Sequence, residues 1–279
     1  YLLSKDDQFL VEANSTLLLK KKSKELSINF KLENVGIANL LLIDKEKLGR
    51  LSGDFLVQAE GNRLNDLTGD FNLINGKYFN KYLEIDTNLQ DISINSVPFA
   101  NGRNIKLRSQ FADADFNIGS DILTLNQVYY NILDNILPPA LKENKSYKSK
   151  YLNKSESDQA ILAKLDIKNV ELITDILLPE LKIANGTKLN AYYSKYKNYF
   201  EIKLSGDSLI YGNNKLKKYN FKTLSDSNRV ALNINSDSIL ISKSIVLNHF
   251  SLNSDLQEDS MNYNISWGDN SKNNSAFFE

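Results

Sequence analysis

The sequence predicts a mostly β fold: antiparallel sheet with one apolar and one polar face, interrupted by one or two short amphipathic helices. Three observations carry this. Apolar and polar residues alternate with period two over much of the chain. The alternating runs are rich in Ile, Val, Phe and Tyr and are cut by Asn, Asp and Gly. Only two stretches show helical spacing. Strands with one wet side suit an antiparallel sheet, whereas parallel α/β sheets use continuous apolar strands.

The elements follow in order. Leu26, Ile28, Phe30 and Leu32 alternate with Ser27, Asn29 and Lys31. Phe55, Val57 and Ala59 repeat the pattern, as do Phe71 and Leu73, then Leu83, Ile85 and Leu89, then Ile92 and Ile94. Ile105 and Leu107 lead into Phe111, and after a shift of face Ala114, Phe116 and Ile118 continue. From Ser120 to Leu137 the spacing becomes i, i+3, i+4, i+7, with Ser120 or Asp121 as cap and Pro138-Pro139 as stop. Residues 142–159 read as a mobile polar loop. Its lysines and two tyrosines suit solvent better than nucleic acid or anionic lipid. Leu165 and Ile167 form a short strand. A second helix is expected from Glu171 to Leu178, ending before Pro179. Each helix has one apolar stripe and is expected to pack it on a hydrophobic surface. Phe200, Ile202 and Leu204 form a clear strand. Val230, Leu232 and Ile234 form another, followed by Ile245 and Leu247, then Tyr263, Ile265 and Trp267. The tail from Asn270 to Ser275 reads as loop.

The chain is therefore expected to be one continuous β segment over 1–279. It divides into a β section (1–119), an amphipathic helix (120–139), a polar loop (140–160) and a second β section (161–279). It starts at Tyr1, with no basic–apolar–small leader pattern and no apolar run of ~20 residues. That suggests an interior piece of a longer protein, with any anchor or export signal outside it.

Composition narrows the function. Lys+Arg and Asp+Glu are 34 each, so no global charge favours nucleic acid. Cys is 0, which removes disulfides, thiol nucleophiles and thiolate metal sites. The single histidine, His249, has no sequence signature of a triad and is expected at the surface. Phosphate-loop, dinucleotide, zinc-protease and nucleophile-elbow motifs are absent from the sequence. Asp113 and Asp115 are the best paired carboxylates, two residues apart on one strand face. Ala114 and Phe116 share the opposite face, which puts the carboxylates on the wet side, away from catalysis or metal binding. The reading is non-enzymatic, with no cofactor.

A weak repeat is also present. Leu51-Ser52-Gly53-Asp54-Phe55 is echoed by Leu67-Thr68-Gly69-Asp70-Phe71 and more faintly by Leu204-Ser205-Gly206-Asp207. The first spacing is about one hairpin.

These phrases, from Gly53-Asp54-Phe55 through Gly61-Asn62-Arg63-Leu64-Asn65-Asp66-Leu67-Thr68-Gly69-Asp70-Phe71-Asn72-Leu73, resemble TamB-like proteins of Bacteroidetes. Those are AsmA-related inner-membrane subunits of the translocation and assembly module. Arg103 to Ala114 is similar to a strand that precedes a helix in that family, and Leu178 to Leu189 is similar to the next strand entry. The resemblance covers about Gly49 to Tyr211. It rests on strand and turn phrases, not on catalytic signatures.

The resemblance implies a long curled antiparallel β-sheet, solenoid-like, forming an apolar groove across the periplasm. It implies an inner-membrane anchor outside this chain and an outer-membrane barrel partner of the TamA/BamA type. It also implies roles in phospholipid transfer between the membranes and in outer-membrane protein assembly and secretion. Fourteen or so strands ~4.8 Å apart would make a trough roughly 65 Å long. The groove walls would be Ile28, Phe30, Leu32, Phe55, Val57, Phe71, Leu73, Leu83, Ile85, Ile105, Leu107, Phe200, Ile202, Leu204, Val230, Leu232, Ile234, Ile265 and Trp267. For each of these residues an ordinary β core explains the pattern as well; the groove concerns the set. Three other readings use the same strands. The sheet edge could hold unfolded outer-membrane proteins. A surface solenoid or sandwich could bind glycan or a partner protein through Tyr192, Tyr193, Tyr196 and Tyr199. A polysaccharide-active β-helix enzyme could use Asp113 and Asp115.

Overall fold

The computed structural model describes residues 2–6, 9–20, 23–37, 48–62, 66–99, 102–119, 160–226, 229–242, 244–257, 260–269 and 272–278. The fold is mostly β and antiparallel, with one short helix among the described residues. No helix there is long and apolar enough to cross a membrane. The expected helix over 120–139 lies outside the described residues, as does the polar loop expected over 140–160 apart from Ala160, which begins a strand. The chain divides into two compact units, Tyr1–Ala114 and Asp115–Glu279, so the boundary falls within a strand.

Unit 1 is a meander of β1 (Leu2–Asp6), β2 (Phe9–Leu19), β3 (Lys24–Gly36), β4 (Arg50–Gly61) and β5 (Thr68–Asn80), followed by β6 (Ile85–Leu89), β7 (Ile92–Phe99) and β8 (Gly102–Arg108). Each strand from β1 to β5 pairs with the next. β5 then splits its free side: Gly69–Leu73 pair with β7 and Gly76–Asn80 pair with β6. The turn after β8 is set by Ser109, whose Oγ accepts the N–H groups of Phe111 (3.2 Å) and Ala112 (3.0 Å). That turn makes the expected shift of face into β9 (Ala112–Gly119), where Ala112, Ala114 and Ile118 are buried.

Unit 2 contains β10 (Ala160–Ile167), α1 (Glu171–Leu177), β11 (Leu181–Ile183), β12 (Lys188–Ser194), β13 (Tyr199–Tyr211), β14 (Asn214–Ser225), β15 (Arg229–Ile241), β16 (Ile245–Gln257), β17 (Ser260–Asp269) and β18 (Lys272–Phe278). β12 to β18 form a meander, and β10 pairs with β12. β13 splits its first side as β5 does. Residues Tyr199–Ser205 pair with β12 and Leu209–Tyr211 pair with β11.

Three expectations change. From Lys272 on the tail is not a loop: β18 pairs in register with β17, Ile265 opposite Ala276, so ladder bonds capture a polar stretch that propensity alone would leave irregular. Leu83 is not a strand residue. It lies in the β5–β6 turn, 40% exposed, where its N–H and that of Tyr82 donate to Asn80 Oδ1. The helix expected over Glu171–Leu178 forms, but its apolar residues are only partly packed, with Leu172 and Ile176 half-buried. Thr174 is its one buried residue, while Ile173, Leu177 and Leu178 are exposed.

Candidate functional site: the apolar faces and their creases

Register decides which side chains meet. In unit 1, Ala13, Phe30, Phe55, Leu73 and Ile92 stand opposite one another across five strands. The next row is Ser15, Ile28, Val57, Phe71, Ile94 and Leu107, and the third is Leu17, Leu26, Ala59, Gly69, Ser96 and Ile105. Successive side chains on a strand leave opposite faces, so these three rows share one face. The other face carries rows such as Asn14, Asn29, Leu56, Asn72 and Ser93. The Phe30 and Phe55 rings stack at 4.5 Å with planes 5° apart, and Phe55 meets Phe71 at 5.9 Å and 55°. Leu32, Val35, Phe55 and Leu73 are buried among these neighbours.

Unit 2 repeats the arrangement. Its rows are Ile161, Tyr193, Phe200, Ser225, Val230 and Leu256; then Ala163, Ala191, Ile202, Thr223, Leu232, Ser254 and Tyr263; then Leu165, Leu189, Leu204, Phe221, Ile234, Leu252 and Ile265. Trp267 alternates with Ile265 and so shares this face. The opposite face carries Asn190, Lys203, Lys222, Asn233, Asn253 and Asn264 in one row. Glu201 sits on it between Lys203 (3.0 Å) and Lys222 (3.3 Å), and the bond from Lys203 first of all holds its carboxyl below the usual carboxylate range.

The expected wall residues thus fall onto two faces, one in each unit. Ile28, Phe30, Leu32, Phe55, Val57, Phe71, Leu73, Ile105 and Leu107 lie on that of unit 1. Ile85, opposite Asn80, joins it through the β5–β6 pair, and Leu83 stands outside. The remaining eight lie on that of unit 2. Sequence reading missed β2, β12 and β14, which supply Val11, Tyr193, Tyr219 and Phe221. Alternation was present in Tyr219, Phe221 and Thr223, but the lysines around them hid it.

Each face is bent by a crease where the ladder is interrupted. In unit 1 it crosses Asn34 (φ 55°), Gly53 (φ 155°) and Asn75 (φ 54°), and the register shifts there on both sides of β4. The Asn34 N–H donates to Ser52 Oγ (2.8 Å), and Asn75 Nδ2 donates to Asp54 Oδ2 (3.1 Å). A Cβ on Gly53 would lie 2.6 Å from Leu73 Cδ1, so the sheet folds over this glycine. In unit 2 the crease crosses Asp207, Lys218 (φ 45°), Asp237 and His249 (φ 49°), the positions skipped in three successive ladders. Lys218 Nζ pairs with Asp237 at 3.2 Å. The bulges of unit 1 bend its strands and raise twist, whereas in unit 2 the ladder skips a position without a register shift. The repeated Leu-Ser-Gly-Asp phrase therefore marks creases at Gly53 and Gly206, whereas Gly69 lies in a regular ladder opposite Ala59.

A buried tyrosine closes the apolar face beside each crease. Tyr78 donates to the Leu48 carbonyl (3.0 Å) and accepts from Asn80 Nδ2 (2.8 Å). Burial raises its phenol above the ordinary value, and the Asn80 bond opposes this. Tyr219 lies over Gly206, its hydroxyl 3.2 Å from Thr187 Oγ1 and 2.7 Å from where a Gly206 Cβ would stand.

Beyond the crease of unit 2 the alternation changes character. One face carries Leu209, Leu216, Ile239 and Leu247, then Tyr211, Asn214, Ile241 and Ile245. The reverse face carries Ile210, Leu240 and Val246 with Lys182, Lys215 and Lys217.

Two clefts sit on the polar faces. One, of about 460 Å³, is bordered by Lys222, Arg229, Asn233, Asn253, Asp255 and Asn264; the other, of about 360 Å³, by Thr16, Glu25, Gln58, Glu60 and Asp70. Of the expected wall residues only Leu232 borders either cleft. Asp113 and Asp115 are half-buried, on the face opposite buried Ala112 and Ala114, and His249 is exposed. Tyr192 and Tyr199 have rings 6.0 Å apart on the polar face, and Tyr193 points the other way into the apolar cluster with Phe200. No protein-family model, curated protein or solved structure matches the chain.

Proposed function

We propose that this chain is a non-enzymatic section of a TamB/AsmA-like envelope protein. In this reading it sits in the periplasm, anchored to the inner membrane through a segment outside this chain. Its apolar faces carry phospholipid acyl chains between the membranes, and a TamA/BamA-type barrel is its outer-membrane partner. The observation that supports this is the in-register apolar rows, running across strand after strand with no charged side chain among them.

The physics suits that use. Each CH₂ drawn from a bilayer into water costs ~0.8 kcal/mol, so a sixteen-carbon chain costs on the order of 10 kcal/mol. Rows of Leu, Ile, Val and Phe replace that exposure with contact. Uniform rows hold a chain without a polar trap, so it can slide, and the head group stays at the open seam in water.

Native mass spectrometry of the purified chain, with lipid extraction and analysis, tests this. Co-purified phospholipid, displaced when Val57 and Ile202 are both replaced by Asn, is the expected result. A chain that carries no lipid after exposure to vesicles would refute it.

A further inference from the structure

We infer that the end of unit 2 beyond its crease is a contact surface for a bilayer containing anionic phospholipid. Here the reverse face is mixed, with Ile210, Leu240 and Val246 set among lysines, while the other face stays apolar. Tyr211 is 58% exposed, Ile245 53%, Val246 55% and Ile241 37%. Leu177 and Leu178 at the end of α1 belong to the same end of the unit, because the Gly212 N–H donates to the Glu180 carbonyl (2.9 Å) two residues on.

Charge selects the occupant. On the reverse face beyond the crease, the strands carry Lys182, Lys215 and Lys217. Lys182 lies 3.9 Å from Glu171 and the Glu180 carboxylate stands near Gly212, so Lys215 and Lys217, with no carboxylate on their own face of these strands, supply the cationic side. Lysines beside exposed aliphatics and a tyrosine match the acyl–headgroup boundary, with ammonium groups reaching phosphates. The turns also permit it. Ser242 N–H donates to Asn214 Oδ1 (3.1 Å) and Ser244 N–H to the Ile241 carbonyl (3.2 Å), so these two N–H groups enter the interface already satisfied. The surface continues the apolar face of the lipid-carrying reading, and the inference rests on that reading for its direction: lipid would enter at this end.

Because the chain has no cysteine, Ile245→Cys gives a single site for an environment-sensitive dye. A dye at Lys106→Cys on unit 1 is the control. We expect a blue shift at 245, and not at 106, on adding phosphatidylcholine vesicles containing phosphatidylglycerol, with co-sedimentation. Replacing Lys215 and Lys217 by Gln should lower partitioning about thirtyfold. No shift at 245, equal binding to pure phosphatidylcholine, or a shift produced by self-association without vesicles each overturns the inference. Vesicle contact at 245 without extractable lipid in the chain would separate this surface from failure of the groove.

Discussion

The Tyr78 hydroxyl is held from two sides in a buried setting, donating to Leu48 and accepting from Asn80. Replacing Tyr78 by Phe leaves the Leu48 carbonyl and Asn80 amide without this partner, at a cost of about 1–3 kcal/mol in chemical denaturation. The phenol also sets a pH limit. Its folded pKa is raised, so the fold holds the proton more tightly than the unfolded chain. Stability from this group is complete below the ordinary tyrosine value of ~10 and is lost as pH rises from there toward the raised value. Alkaline titration followed by phenolate absorbance should therefore show a late component that Tyr78→Phe removes. Glu201 has the opposite sign. Its folded pKa is lowered, so its contribution is present above the ordinary glutamate range and is lost as pH falls through the lowered value. Glu201→Gln should cost no more than about 1 kcal/mol at neutral pH, and the difference should vanish in acid.

At the scale of elements, creases and split strands shape both units. Asn accepts positive φ at little cost, while a β-branched residue there is strained. Asn75→Val should destabilise the chain by about 1–3 kcal/mol, and Asn75→Gly by clearly less; thermal unfolding of the pair checks this. Gly206→Ala should be worse than its small size suggests, because the added methyl meets the Tyr219 hydroxyl. The strands themselves were legible in the sequence wherever apolar residues alternated, as in β3, β13 and β15. The creases were not, because a skipped ladder position at Lys218 or His249 leaves no compositional trace. The Leu-Ser-Gly-Asp phrase was visible, but as a hairpin period and not as a bend. Leu83 failed as a strand residue because Asn80 captures the two N–H groups that would start the ladder. β18 was missed because pairing with β17, not its own composition, makes it a strand.

For the whole molecule, alternation in the sequence picked out apolar residues and register shows which of them stand together. Phe71 sits beside Val57 and Ile94, and Ile202 beside Ala191 and Thr223, each within one row. What these rows carry is a question of ligand, and alternation speaks only to burial. The most direct test is photo-crosslinking from a benzophenone side chain at Phe71 and, separately, at Ile202, in the intact chain incubated with phospholipid vesicles. The account predicts phospholipid adducts at both positions and none at Asn72 or Lys203 on the polar faces. Adducts at none of the four, or equally at all four, would contradict it.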